Sequence, residues 1–416
     1  MAKQTINQGT APTGAGGDTF RSGSAKLQAN DDELYAHLGA PDGTLTVPKT
    51  RTALGIESNK SELTILIKDS LRQSVELASG GEQTVLYTAK GQPTYMNIIK
   101  KFDMSTIDPS LSGTHPAFVV NGKEKAEIFI GTYQGRIVDG ELLSLPNVEP
   151  TTSTNFEKYL AAARASGAGH HLITNAEWSA IALQCFKDNK QPMGNSYYGR
   201  SSENPLLIGR RADGLNPGDG SGLACTLTGS GPVEWRHNGK ENGIADLAGN
   251  VWEWNSGMRI FNGEIQVIAD NNAAIHTIDL GATSAQWKAI DGETGNLVTP
   301  DGAGTTVGTI KYADNGTADY TINGSNFGGI RNLSTTKPVT AVALARLKSL
   351  CLYPLVEDTA KFNSAYFGKI IADERLPLRG GSWINASNAG VFSLILNNSR
   401  SDAIARFGAR PAFVNL

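Results

Sequence analysis

The sequence predicts an α+β fold: a few amphipathic helices, many short strands and long loops punctuated by glycine. Three observations lead there. Helical spacing of apolar residues recurs in four or five separate stretches. Short period-2 runs of β-branched and aromatic residues lie between them. Glycine is abundant, 47 of 416 residues against a usual ~7%, while charged residues make up only 19% against ~25%. With 39% hydrophobic residues there is material for a real core, and the length suggests two or three folding units.

Residues 1–23 lack a hydrophobic period and are expected to be mobile when isolated. Ser24–Leu38 carries Leu27, Leu34 and Leu38 near helical spacing, a stripe so thin that the helix is expected to meet copies of itself or a partner. PDGTLTVPKTRTALG, which follows, is turn-rich. Lys60–Ala78 places Leu63, Ile67, Leu71 and Val75 in an i+4 series. TVLYTA (84–89) and AEIFIGTYQG (126–135) read as strands.

Two stronger helices come next. Phe156, Tyr159, Leu160 and Ala163 share one face, and Gly167 suits the position after the helix end. Thr174 and Glu177 have capping-box spacing ahead of a face formed by Trp178, Ile181, Ala182, Cys185 and Phe186. Residues 188–245 read as a long ordered loop, Ile265–Ile278 and Lys311–Ile322 as strand-like, and Val339–Leu352 as a last helix with Leu344, Leu347 and Cys351 aligned. The final forty residues alternate as several short strands. These divisions give an amino-terminal segment (1–59), a connector (60–115) and a carboxy-terminal domain (116–416).

Composition narrows the function. A balance of 37 Lys+Arg against 40 Asp+Glu argues against a nucleic-acid binder or a membrane-surface protein. Val339–Val356, the most apolar stretch, is broken by Arg346, Lys348 and Pro354, so membrane insertion is not expected. MAKQTINQGT has no apolar h-region, so synthesis and folding in a bacterial cytoplasm without a signal peptide are expected. Cys185, Cys225 and Cys351 form no CxxC pair, which points to neither zinc nor a disulfide framework. No phosphate-binding glycine motif occurs. The only cofactor expectation is structural calcium in Asp213-Gly-Leu-Asn-Pro-Gly-Asp219-Gly-Ser, although a plain Asp/Gly turn accounts for that run as well.

The most specific run is DLAGNVWEW (246–254), followed by LRGGSW (378–383). Gly249 suits a tight turn, and Glu253 between two tryptophans needs a hydrogen-bond or cation partner if buried. With FIGTYQG (129–135), HHLITNAEWSAIA (170–182) and FGARPAF (407–413), these runs resemble the formylglycine-generating-enzyme branch of the C-type lectin fold, over roughly residues 116–416. The resemblance implies that fold. It does not carry the chemistry. The copper oxidases of the family use a cysteine pair just before the terminal G-F-R, and 393–410 contains none. The iron enzymes of the same fold need a three-histidine cluster, which His115, His170, His171, His237 and His276 do not match, and the adjacent His170 and His171 read as a surface or partly packed pair. No enzymatic activity is expected; an oxidase of that fold, or a structural prophage protein without ligand, are the alternatives.

SWINASNAGVFSLILNNSRSDAIARFGAR (382–410) also resembles the variable region of proteins diversified by retroelements, which serve phages as receptor-binding proteins. That likeness implies a variable region of about 379–410, with Trp383, Gly390, Val391, Phe392, Leu394, Leu396, Arg400, Gly408 and Arg410 as framework. It implies exchangeable, exposed receptor-binding positions at Ser382, Ile384, Asn385, Ser393, Ile395, Asn398, Ser399, Asp402, Ile404 and Arg406. Alternation along 391–396 places Val391, Ser393 and Ile395 outward and Phe392, Leu394 and Leu396 toward the core. GDTFRSGSAKLQANDDELYAHLG (17–39) resembles the opening of phage tail-fibre proteins. The partners so implied are a host cell-surface receptor, protein or glycan, other phage tail proteins, and two further copies in a homotrimer on the virion tail.

Overall fold

The computed structural model describes residues 5–10, 15–38, 69–362 and 364–416, and its fold is α+β. The chain divides into two compact units, residues 1–70 and 71–416. The turn-rich run after residue 38 and the first part of the Lys60–Ala78 helix lie outside the described residues.

In the first unit α1 (Phe20–His37) starts where Thr19 caps the Ser22 amide at 3.1 Å. The preceding residues are not free of structure: Asp18 pairs with Lys26 (2.7 Å) and accepts from the Asn7 amide (2.8 Å). Only Gly23 of α1 is buried, so Phe20, Leu27 and Leu34 stand exposed.

The second unit holds α2 (Ser70–Ala78), α3 (Phe156–Ala165), α4 (Asn175–Lys187) and α5 (Ala341–Ser349). Asn155 caps α3, and Thr174 with Glu177 completes the capping box of α4. α4 is buried on more than the expected face, Ser179, Ala180 and Leu183 included, because core surrounds it. α5 stops at Ser349, so Cys351 lies beyond the helix, buried and with a positive φ of 47°.

Twelve strands position the site: β1 (Gln83–Tyr87), β2 (Pro93–Lys100), β3 (Glu127–Gly131), β4 (His170–Leu172), β5 (Trp252–Trp254), β6 (Met258–Phe261), β7 (Glu264–Val267), β8 (Phe367–Lys369), β9 (Glu374–Gly380), β10 (Gly390–Asn398), β11 (Phe407–Ala409) and β12 (Pro411–Phe413). One antiparallel sheet runs β1-β2-β3-β12-β4. Since β1 and β2 pair into the sheet that holds β3 and β12, residues 83–115 belong to the main body and not to a connector. In the second sheet β9 pairs with β5, β6 and β10, while β11 lies parallel to β5 and β8 parallel to β10. Asn262 and Gly263, both at positive φ, turn β6 into β7. Five further short strands between Lys288 and Asn332 extend this sheet. Among the described residues no helix is long and apolar enough to cross a membrane.

β10 departs from expectation. Val391, Ser393 and Ile395 are as buried as Phe392, Leu394 and Leu396, so both faces of the strand are covered. β8 and β9 flank it, Phe327 stacks on Phe392 (5.4 Å) while Phe362 meets it edge-on (5.0 Å), and Ile395 joins a cluster with Trp254 and Phe407. Phe327, Phe362 and β8 come from residues 256–378, whose sequence does not announce that role.

His170 and His171 are buried rather than at the surface. Burial holds His115, His170 and His237 at about 4, well below the usual 6.5. Between those values the unfolded chain binds protons that the native one refuses, so stability falls as pH drops, by about 1.4 kcal/mol per pH unit for each histidine. His171 opposes part of this: burial lowers it, but the Glu177 carboxylate 2.8 Å away raises it further, to a net rise. Urea midpoints at pH 7 and 5 are expected to differ clearly, and His115→Gln, which removes one of the three, to reduce that difference. An unchanged difference contradicts the assignment.

Candidate binding surface

The site is built from the Gly-Asn-Val-Trp-Glu-Trp run outward. Glu253, fully buried in β5, accepts two hydrogen bonds from Arg410 (2.8 and 2.7 Å) and one from Gln134 (2.9 Å). Arg410 also donates to the carbonyls of Gly131 and Ala245. The cation partner that Glu253 requires is thus supplied from the turn between β11 and β12.

The chain of bonds continues. The Gln134 amide oxygen accepts from Asn250 Nδ2 (2.8 Å), and Asn250 Oδ1 accepts from the Thr226 amide (2.7 Å) and from Asn195 Nδ2 (3.1 Å). Asn195 Nδ2 also donates to the Ala224 carbonyl, and its Oδ1 accepts from the Gly199 amide (2.6 Å). A buried polar spine therefore fastens the loop 195–228 to the sheet. Gly249, at φ 74°, lets the backbones of 194–196 and 248–250 touch, and its amide donates to the Gly380 carbonyl (2.9 Å). The Trp383 amide donates to the Asn250 carbonyl (3.1 Å), which joins the two tryptophan motifs.

Trp383 is the hub. It packs with Ala224, Cys225 and Val251, and Tyr198, Ala212 and Ala405 lie against that cluster. Three loops meet there: 195–228, 382–389 and 399–406. The Tyr198 amide donates to the Trp383 carbonyl (2.8 Å), and the Ala386 amide to the Ser196 carbonyl (2.9 Å).

The ten expected contact positions divide into three groups. Ile384 (40% exposed) and Ile404 (38%) stand at the surface, and Arg406 is half-buried with no ion pair among the described residues. Asn385, Asn398, Ser399 and Asp402 are half-buried, and their side chains lock turns: Asp402 accepts from Asn398 and from the Ser399 amide and hydroxyl, while Asn385 accepts twice from Ser382. Ser382, Ser393 and Ile395 are buried, which corrects their expected exposure. Ser393 bridges inside the fold from the Tyr366 amide to the Asn388 carbonyl, and Ser382 sits beneath its turn.

The sequence reading missed half of this surface. Tyr197, Leu206 (87% exposed), Ile208, Leu215 and Leu223 all stand out from the loop 195–228. Ile384 and Ile404 add two more exposed apolar groups on the other two loops that meet at Trp383. The runs NSYYGR and NPLLIGR, apolar groups inside a Gly/Asn/Pro-rich segment, were the available signal. An open pocket of about 590 Å³ lies among Ile208, Arg210, Leu215 and Pro217. Arg200, stacked on Tyr197 (5.2 Å), and Arg210, bonded to Asn147, have no carboxylate partner among the described residues.

The run proposed for calcium is organised differently. Arg211, its side chain fully buried, donates to both Asp213 oxygens (2.9 and 2.6 Å) and to the carbonyls of Asn216, Asp219 and Ser221. The guanidinium holds the Asp213 carboxyl below its usual range. A side-chain cation sits where the loop oxygens converge. Elsewhere, Arg400 of the framework clamps Glu374 and Glu157 and lies over the Phe156 ring.

No family model and no curated protein matches the chain. Among solved structures it is similar to Treponema denticola variable protein 1, at 12% identity over 80% of this chain and 98% of that chain. The TM-score of 0.26 is too low for that likeness to carry an argument.

Proposed function

We propose that this chain is a phage tail-tip or tail-fibre protein that binds a host cell-surface receptor through the three loops around Trp383. One observation carries the reading: seven large apolar side chains stand exposed on the three loops that meet at Trp383, and a buried polar spine fastens the longest of these loops to the sheet. A monomer gains nothing from such exposure, whereas a partner surface covers it. The apolar character of these groups, with Arg200, Arg210 and Arg406 free of ion pairs among the described residues, favours a protein receptor whose apolar patch has an acidic rim.

In this reading the carboxy-terminal body is of the C-type lectin, formylglycine-generating-enzyme type, and part of 379–410 is diversifiable. The exchangeable set contracts to Ile384, Ile404 and Arg406, with the turn residues Asn385, Asn398, Ser399 and Asp402 tolerating change at a cost in loop geometry. Phe20, Leu27 and Leu34 recur every seventh residue along α1, the spacing of a self-associating seam, which suits a homotrimer on a virion tail among other tail proteins. The reading is non-enzymatic, without cofactor, nucleic acid or membrane insertion. Its chemical support is that burial pushes the thiols of Cys185, Cys225 and Cys351 to about 12, where no thiolate is available for catalysis at neutral pH.

The test is direct. Ile384→Asp, Ile404→Asp and Leu223→Asp, combined, are expected to weaken adsorption of the labelled protein to host cells by about tenfold or more, because central apolar anchors each contribute over ~1 kcal/mol. Unaltered adsorption by a folded triple variant ends the proposal.

A further inference from the structure

A second cavity lies away from the Trp383 hub, against β6 and the segments 282–287 and 299–302. It is about 450 Å³, within the range of small-ligand sites. Its base is Arg259, which is nine-tenths buried and held between the rings of Trp287 (4.5 Å) and Phe261 (5.5 Å). Nε donates to Gln266 and Nη1 to Glu374 and the Ala282 carbonyl, so orientation is fixed. Nη2 donates to no protein group among the described residues. It is an oriented donor left over in a pocket.

Pro300 and Asp301 also line the cavity. Hydrogen bonds from Thr305 and nearby amides hold Asp301 at about 2, so it is ionised at neutral pH. The half-buried Phe261 ring and Pro300 offer apolar flanks, and the exposed Thr283 also lines the cavity.

The charges select the ligand. Glu374, bonded to both Arg259 and Arg400, and the ionised Asp301 set two carboxylates near the guanidinium, so an anion gains little there. A cation meets Arg259. A hydroxyl group suits both sides, since its oxygen accepts from Arg259 Nη2 and its proton is given to Asp301. A ring with C–H faces suits the Phe261 side. We infer that this cavity binds a neutral pyranose sugar, its hydroxyls between Arg259 and Asp301 and one face of its ring against Phe261.

The site is independent of the loops around Trp383, and a separate measurement reads it. Saturation-transfer NMR on the full chain with millimolar glucose, galactose, mannose and N-acetylglucosamine is expected to show transfer to the ring protons of at least one. Phe261→Ala is expected to weaken that sugar about tenfold. Thr283→Trp, which fills the mouth from an exposed position, is expected to abolish transfer while leaving the fold intact, and the loop triple variant to leave it unchanged. No transfer from any of the four sugars overturns the inference. So does transfer that survives Thr283→Trp, or a preference for sialic acid over the neutral sugars.

Discussion

Arg410→Ala is expected to lower the unfolding free energy of the chain by about 3–5 kcal/mol, measured from the denaturant midpoint, because it strands the Glu253 carboxylate with no counter-charge. Glu253 is fully buried, with its carboxylate held between Gln134 and Arg410 on the face of β5 opposite Trp252 and Trp254. Arg410 supplies two of its three hydrogen bonds and also satisfies two backbone carbonyls. The loss is therefore charge, hydrogen bonds and packing together. Glu253→Leu paired with Arg410→Met removes both charges at similar volume, and this double variant is expected to be more stable than Arg410→Ala alone. If the double variant is the weaker of the two, the pair is not the source of the effect.

Gly194→Ala is expected to be comparably severe, about 4 kcal/mol or more, and localised differently. A Cβ at residue 194 would stand 1.6 Å from the Ala248 carbonyl oxygen, a backbone atom that cannot move without opening the 248–250 turn. Displacement there breaks the bond from the Asn250 amide to the Asn195 carbonyl and releases the spine that holds the loop 195–228. Limited proteolysis is expected to cut the variant between residues 197 and 223 first, with a red shift of tryptophan fluorescence as Trp383 gains water. A variant as resistant as the natural chain excludes this role for the close approach.

Much of the scaffold was legible because its signals are local. Asn155 and the Thr174/Glu177 box mark helix starts that depend on nearby atoms only, and the Asn262-Gly263 turn needs no distant partner. Glu253 was legible as a group needing a cation, since two flanking tryptophans imply burial, and Arg410 already stood in a recognisable run. The reading failed where burial is decided at long range. Alternation in β10 cannot say that Phe327 and Phe362, far away in sequence, cover one face while Trp254 and Phe407 cover the other. Small residues such as Ser382 and Ser393 look exchangeable in sequence, yet the Ser382 hydroxyl donates to the Asn385 side chain and Ser393 joins the Tyr366 amide to the Asn388 carbonyl. The apolar groups of 197–223 escaped notice because their loop is mostly polar and obeys no period, so their exposure emerges only once the loop is folded around Arg211 and Asn195.

That folding has an ecological side. A loop gathered around a dissolved divalent ion takes its shape from the surrounding fluid, and chelators or mineral-poor water undo it. Here the positive centre is Arg211, covalently part of the polypeptide. The segment it organises carries its own counter-ion from one habitat to the next.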